Sequence, residues 1–284
     1  MRPRLATADF TFPMLPHDRA LDLIAALGFQ GVDIGLFAGR SHVRPEQAFN
    51  DLTASARDLS DRVRSRGLEF ADIFVQAATD FAALAPNHPD AAVRQASRDA
   101  FSRGLELVVR CNARHLTVLP GALFDGEGPG DSLARCADEL AWRVAQSQAL
   151  GVTLAVEAHV GSVVPTPALA TELIERCPGL TLTLDYCHFT SRGTPDAAIE
   201  PLLAHASHFH ARGAHAGRVQ ASVKANTIDY DRVVRQMRAT RYAGWIGIEY
   251  VWSEWEHCNE VDNLSETILL RDKLTDAIAA EAWS

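Results

Sequence analysis

Lysine is nearly missing from this chain. Lys224 and Lys273 are the only two among 284 residues, and 27 basic against 36 acidic side chains leave a formal net charge of −9. Nucleic-acid binders draw most of their affinity from cations set against phosphates. No arginine cluster here is dense enough to supply them, so no nucleic-acid partner is expected. Cysteine is also sparse: Cys111, Cys136, Cys177, Cys187 and Cys258 are odd in number, scattered and without a C-x-x-C pair. This argues against a disulfide framework and a structural zinc site, and predicts idle thiols in a reducing compartment. No stretch approaches the ~20 apolar residues of a membrane span. "MRPRLATADFTFPML" lacks a signal-like apolar run followed by a small-residue cleavage site. The expectation is a cytoplasmic protein with no membrane partner. No linker or low-complexity segment divides it, so residues 1–284 are expected to form one domain, with "DGEGPGD" (125–131) as a flexible loop.

What the chain has instead is alternation. "RLATADF" reads as a strand, and "DRALDLIAALG" then sets Leu21, Ile24 and Leu27 at helical spacing and closes on Gly28. "GVDIGLF" is a second strand, "PEQAFNDLTASARDLSDRVRSRG" one long polar-faced helix ended by Gly67, and "LEFADIFVQ" a third strand. A helix over 89–112 leads to the strand "RHLTVLPG". The next helix has the clearest signal, with Leu133, Cys136, Ala137, Leu140, Ala141 and Val144 on one stripe. The strand "GVTLAVEAH" and a helix over 167–176 follow, then the strand that opens "TLTLDYCHFT" and a weak helix over 196–203. The strand "HASHFHARG", a helix over 230–240 with Asp229 as N-cap, the strand "GWIGIEYVW" and a helix over 264–280 complete the pattern. Strand–helix alternation implies parallel pairing with right-handed crossovers. Eight such units in this length match a closed (β/α)₈ TIM barrel. An open doubly wound sheet would need a Gly-rich phosphate loop after the first strand, and "FTFPMLPHDR" is not one.

In such a barrel the chemistry sits where strands end at the C-terminal face. The early strands carry Asp9, Asp33, and Asp72 with Gln76. The later ones carry Glu157 with His159, Asp185, His208 and His210, and Glu249. Buried carboxylates are costly unless neutralised, and no lysine is near them in sequence. Two Glu, one Asp and one His offer three oxygens and one nitrogen, a set that suits Mn²⁺, Mg²⁺, Co²⁺ or Fe²⁺, with Zn²⁺ as a further option. His188, just past Asp185, is placed to touch either that carboxylate or a substrate. Side-chain alternation puts His208 and His210 on the same strand face, so spacing leaves the choice between them open.

The motifs "GFQGVDI", "VEAH", "LDYCH", "FHARG" and "YAGWIGIEY" resemble the xylose isomerase-like TIM-barrel superfamily, which includes sugar isomerases and epimerases, inosose dehydratases and endonuclease IV-type enzymes. The resemblance covers nearly the whole chain. It implies one divalent ion, Mn²⁺ first, held by Glu157, Asp185, His210 and Glu249. Glu157 and Glu249 would be the acid–base pair flanking the substrate. The usual His-x-Lys-Asp signature of the seventh strand stands here as His210, Ala211, Arg212, Gly213, and the Glu that usually ends the second strand is Asp33.

The implied reaction is isomerisation or epimerisation of a non-phosphorylated keto-sugar or related polyol. It runs through proton abstraction next to a carbonyl and a metal-stabilised enediolate. His188 and Arg212 would bind substrate oxygens, with His159, Arg218 and His42 as further substrate-binding candidates. Trp245 is expected in the core, and Trp252 or Trp255 against a sugar or in an oligomer contact. The alternative with the same site is β-elimination, by a lyase or dehydratase acting on a keto-inositol or 3-keto-glycoside. A hydrolytic endonuclease would need more strand-tip histidines and a basic face. A non-catalytic scaffold would not need the intact ligand set. The resemblance also implies a possible homo-oligomer, since barrel enzymes of this type commonly form dimers or tetramers.

Overall fold

The computed structural model describes residues 2–283. Its strands are β1 (Arg4–Ala8), β2 (Gly31–Phe37), β3 (Glu69–Gln76), β4 (His115–Val118), β5 (Thr153–Glu157), β6 (Thr181–Asp185), β7 (Ala206–Ala211), β8 (Gly213–His215), β9 (Arg218–Ala221) and β10 (Trp245–Ile248). The helices are α1 (His17–Ala26), α2 (Pro45–Ala48), α3 (Leu52–Arg64), α4 (Ala91–Arg110), α5 (Pro129–Ala149), α6 (Pro167–Arg176), α7 (Tyr186–Thr190), α8 (Asp196–Ile199), α9 (Tyr230–Ala239) and α10 (Asn263–Ala280). Strands β1 to β7 follow one another around a closed parallel barrel, and β10 shuts it between β7 and β1. This is the expected (β/α)₈ barrel.

The apolar stripes explain the outer ring. On α1, Ala20, Leu21 and Ile24 are buried, and Gly28 ends the run at φ 81°, a conformation glycine adopts without penalty. On α5, Leu133, Cys136, Ala137, Leu140 and Val144 are buried as the stripe predicts. Ala141 is exposed instead. The stripe turns toward Arg143, which is buried because Glu139 one turn back holds its guanidinium at 3.0 Å. All five cysteines are free and buried.

Three expectations need correction. The helix foreseen between Pro45 and Gly67 is two, α2 and α3, because the Asp51 side chain accepts from Ala54 N and starts a new helix after the Phe49–Asn50 turn. The 125–131 loop ends early, since Pro129 already opens α5 as a first-turn proline. A short antiparallel hairpin, β8 and β9, follows β7 where only a loop was foreseen. Gly213 begins it, and a Cβ there would lie 2.3 Å from the Ala221 carbonyl oxygen. The closely packed hairpin backbone thus excludes the aspartate usual at this position.

Candidate active site

Four side chains from four strands meet at the mouth of the barrel. Glu157 closes β5, Asp185 closes β6, His210 lies near the end of β7, and Glu249 directly follows β10. All four are buried. His210 Nδ1 lies 2.7 Å from Glu157 Oε1 and 3.2 Å from Glu249 Oε2. His188 Nε2 lies 3.5 Å from Asp185 Oδ2 and 3.9 Å from Glu157 Oε2. The sequence placed His188 on a loop. It sits in the short helix α7, whose N-cap is Asp185, accepting from Cys187 N at 2.7 Å. One oxygen of Asp185 therefore anchors the backbone while the other faces the cluster.

Arg212 is the cation inside this group. Its Nη2 donates to Asp185 Oδ2 at 2.7 Å and lies 3.3 Å from His188 Nε2, while Nη1 is 3.8 Å from Glu249. The Tyr230 hydroxyl fixes its backbone by donating to the Arg212 carbonyl at 2.5 Å. His159 stacks on His188, with ring centroids 5.1 Å apart, and Trp255 approaches both imidazoles at 6.2 and 6.1 Å. Trp255 thus lines the mouth. Trp252 is half exposed on another cavity, with Met14 and Leu264, and Trp245 lies under Arg4 at 3.7 Å.

Charge decides what this arrangement can hold. Three carboxylates face one guanidinium. Burial, then the neighbouring Glu249 charge, pushes Glu157 up to about 7. Burial works in the same direction on Glu249, but His210 and Arg212 outweigh it and hold Glu249 below its ordinary value. Burial opposes the charged form of His210, yet Glu249 and Glu157 hold its pKa well above the usual imidazole range. His188 is driven well below that range by burial and by the adjacent His159 and Arg212. The cluster therefore draws positive charge to the point where its ligand atoms converge. Glu249 Oε2 is buried without a hydrogen-bond partner, and Glu157, His210 and Glu249 have ligand atoms within 4.8 Å of one another, as do Glu157, Asp185 and His188. The donor set fits a divalent cation.

A third such group lies deeper, formed by Asp33, His208 and His210. His208 Nε2 is 3.1 Å from Asp33 Oδ2, and His210 Nε2 is 3.9 Å from the same atom. Both histidines face inward, as alternation requires. Only His210 turns a nitrogen to the glutamates. Asp33 lies within β2 rather than at its tip, after a bulge between Val32 and Asp33. Gly247 makes room for it, because a Cβ there would sit 1.9 Å from Asp33 Oδ2. Asp72 is also interior, 2.6 Å from His115 Nδ1.

Two candidates are not brought to this cluster. Arg218 lies in the β8–β9 hairpin and pairs with Glu260 at 3.0 Å. His42 stacks on His17 at 4.9 Å beside the mouth. Arg40, which the sequence reading does not nominate, reaches toward the site. It donates to Gln76 Oε1 at the tip of β3 and lies over Phe37 at 4.5 Å. Burial lowers its pKa while Glu249 and Glu157 act to raise it. The available signal was its place directly after a strand, in "FAGRSH".

Comparison with known proteins agrees with the fold. An L-ribulose 3-epimerase structure superposes with a TM-score of 0.78 at 18% identity, covering 98% of this chain and 95% of that one. A 3-keto-D-glucoside 4-epimerase from E. coli gives 0.74 at 14%, covering 97% and 100%. A probable 3-DHS dehydratase from Bacillus anthracis gives 0.69 at 12%, covering 94% and 98%. No curated protein matches the sequence. Among the described residues no helix is long and apolar enough to cross a membrane. The family described as xylose isomerase-like TIM barrel matches residues 21–273. The barrel closure, the residues gathered at its mouth and this match lead to one conclusion: the chain belongs to the xylose isomerase-like TIM-barrel family.

Proposed function

We propose that this chain is a divalent-metal-dependent isomerase or epimerase of a keto-sugar or related polyol, acting as a single barrel domain. The observation that carries the reading is the convergence of two glutamates, Glu157 and Glu249, on one imidazole nitrogen of His210. Epimerisation needs a group that takes a proton from the carbon beside a carbonyl and another that returns one on the opposite face. Two carboxylates with pKa values pushed in opposite directions suit those tasks. The ion, Mn²⁺ or a similar cation, would be held by Glu157, Asp185, His210 and Glu249. When bound it would polarise the substrate carbonyl. Arg212 orients Asp185, and neutral His188 offers a hydrogen bond to a substrate oxygen. The epimerases among the similar structures support the reading and a small-molecule sugar substrate.

The second reading is β-elimination by the same carboxylates. The stacked pair His159 and His188 would offer a leaving oxygen N–H hydrogen bonds from neutral imidazoles. The similar dehydratase structure supports it too.

The test is solvent exchange. The Mn²⁺-loaded protein is incubated in D₂O with a panel of neutral ketohexoses, hexulosonic acids and 3-keto-glucosides, and the products are read by NMR. Deuterium at a retained carbon, with no group lost, supports epimerisation. Release of water or an aglycone supports elimination. No exchange into any panel member sinks both. Glu249→Gln is expected to slow exchange by about 10²–10⁴-fold.

A further inference from the structure

Beside the mouth lies a second cavity of about 380 Å³, lined by Phe10, His17, Arg40, His42 and Arg44 among others. Its composition departs from the rest of this acidic chain. Two guanidinium groups and two imidazoles line it. Neither Arg40 nor Arg44 pairs with a carboxylate among the described residues, and Arg44 instead donates to the Ser41 carbonyl at 3.2 Å. The nearby Glu46 turns its side chain to Gly39 N.

Among the described residues no carboxylate lines the cavity; the nearest one behind the wall is Asp9, fully buried against His17. Its Oδ1 accepts from Gly35 N at 2.9 Å, and Oδ2 lies 3.1 Å from His17 Nε2. His17 is nine-tenths buried. His17 Nε2 meets only the Asp9 carboxylate, and the enclosed His42 Nε2 has no hydrogen-bond partner. Such groups are costly to bury unless something meets them.

The cavity is joined to the cluster by an aromatic wall. Phe74 packs near His210 at 6.2 Å, Phe37 meets Phe74 at 5.2 Å, and Phe10, which lines the cavity, meets Phe37 at 4.8 Å. Arg40 belongs to both places, since it lines the cavity and covers Phe37.

We propose that this cavity is an acid-recognition subsite, in which Arg40, Arg44, His17 and His42 hold a carboxylate carried by the substrate at the end remote from the reacting carbon. The substrate class is then a keto-sugar acid. Two fixed positive charges against one Asp9 carboxylate leave room for a single negative charge. A carboxylate supplies one, whereas a phosphate ester carries about −1.5 to −2 at neutral pH. Guanidinium groups also match the planar carboxylate through paired N–H donors. The assignment of substrate class rests on the function proposed above. The binding of an acidic sugar does not.

The experiment uses unreactive probes with the Mn²⁺-loaded full chain. Affinities for D-gluconate, D-glucitol and D-glucitol 6-phosphate are measured by ligand-observed NMR titration. D-Gluconate is expected to bind at least tenfold tighter than D-glucitol. Arg44→Gln should remove that preference, and Arg44→Lys should restore part of it. Arg44 is exposed, so these variants are expected to fold. Equal affinity for the acid and the neutral polyol overturns the proposal. So does a preference that survives Arg44→Gln, which would place the anion elsewhere, and so does tighter binding of the phosphate. None of these measurements needs turnover. If the probes behave as expected while solvent exchange fails with every ketose, the proposed reaction falls and the subsite stands.

Discussion

At the scale of single residues, much depends on which histidine serves the cluster. Alternation along β7 left His208 and His210 equal. The structure separates them, because His210 Nδ1 faces Glu157 and Glu249 while His208 Nε2 faces Asp33. Mn²⁺ content after dialysis should therefore fall from one ion per chain to near zero in His210→Ala and remain near one in His208→Ala. Asp33 stands behind the other nitrogen of His210. If metal binding by His210 drew this 3.9 Å contact into a hydrogen bond, Asp33 would orient the imidazole, and loss of such a carboxylate commonly weakens metal affinity by about 10–100-fold. Asp33→Asn should show that loss by calorimetric titration while its thermal melting remains cooperative. Of the residues read from sequence, Glu157, Asp185, His188, His210, Arg212 and Glu249 meet in one place. They were legible because each lies at or just beyond a strand end. Arg40 was harder to read, since a long side chain on a loop reveals nothing of its reach until the loop is folded.

At the scale of elements, the helices are held to the barrel by apolar stripes and by a few buried charges. The clearest of these charges joins α4 to α5. Glu139 receives both Arg98 nitrogens at 2.9 Å, and Arg143, itself buried, at 3.0 Å. Burial raises the Glu139 pKa, but the Arg98 and Arg143 hydrogen bonds outweigh it and hold the carboxyl low. Glu139→Ala strands the Arg143 charge in a dry interface. The expected loss is about 3–5 kcal/mol of stability, read from urea unfolding. The elements themselves were largely legible. Gly28 and Gly67 stop α1 and α3 where predicted, at φ 81° and 71°, and Asp229 caps α9 by accepting from Arg232 N. The break between α2 and α3 was missed because Asp51 caps as well from inside a polar run as from its edge. The β8–β9 hairpin was missed because its strands are only three and four residues long.

At the scale of the whole molecule, the barrel axis is polar as well as apolar. Asp72, His115, Ser207 and Thr181 form a bonded chain across it, with His115 2.6 Å from Asp72 and 2.7 Å from Ser207 Oγ. Burial pushes the Asp72 carboxyl up, but His115, His208 and Thr117 together bring it down to about 2. A carboxyl depressed in the folded state stabilises the fold above its unfolded pKa of about 3.9. That contribution, about 2 kcal/mol, is lost as pH falls toward 2, because the unfolded chain takes up the proton first. Unfolding free energy measured from pH 5 to pH 2 should therefore decline less steeply in Asp72→Asn than in the parent chain.

The sequence by itself determined the alternation of strands and helices, the closure into a barrel of eight, and which strand ends carry carboxylate and imidazole. These follow from local periodicity and from the rule that parallel strands place their ends on one face. Only the tertiary structure decided that His210 rather than His208 turns to the glutamates, that Arg212 lies against Asp185, and that Arg40 and Arg44 share a cavity with His17 and His42. Those relations join residues from separate strands and loops. They depend on the rotation of strands about the barrel axis and on the course of the loops above it, and no local pattern along the chain records either.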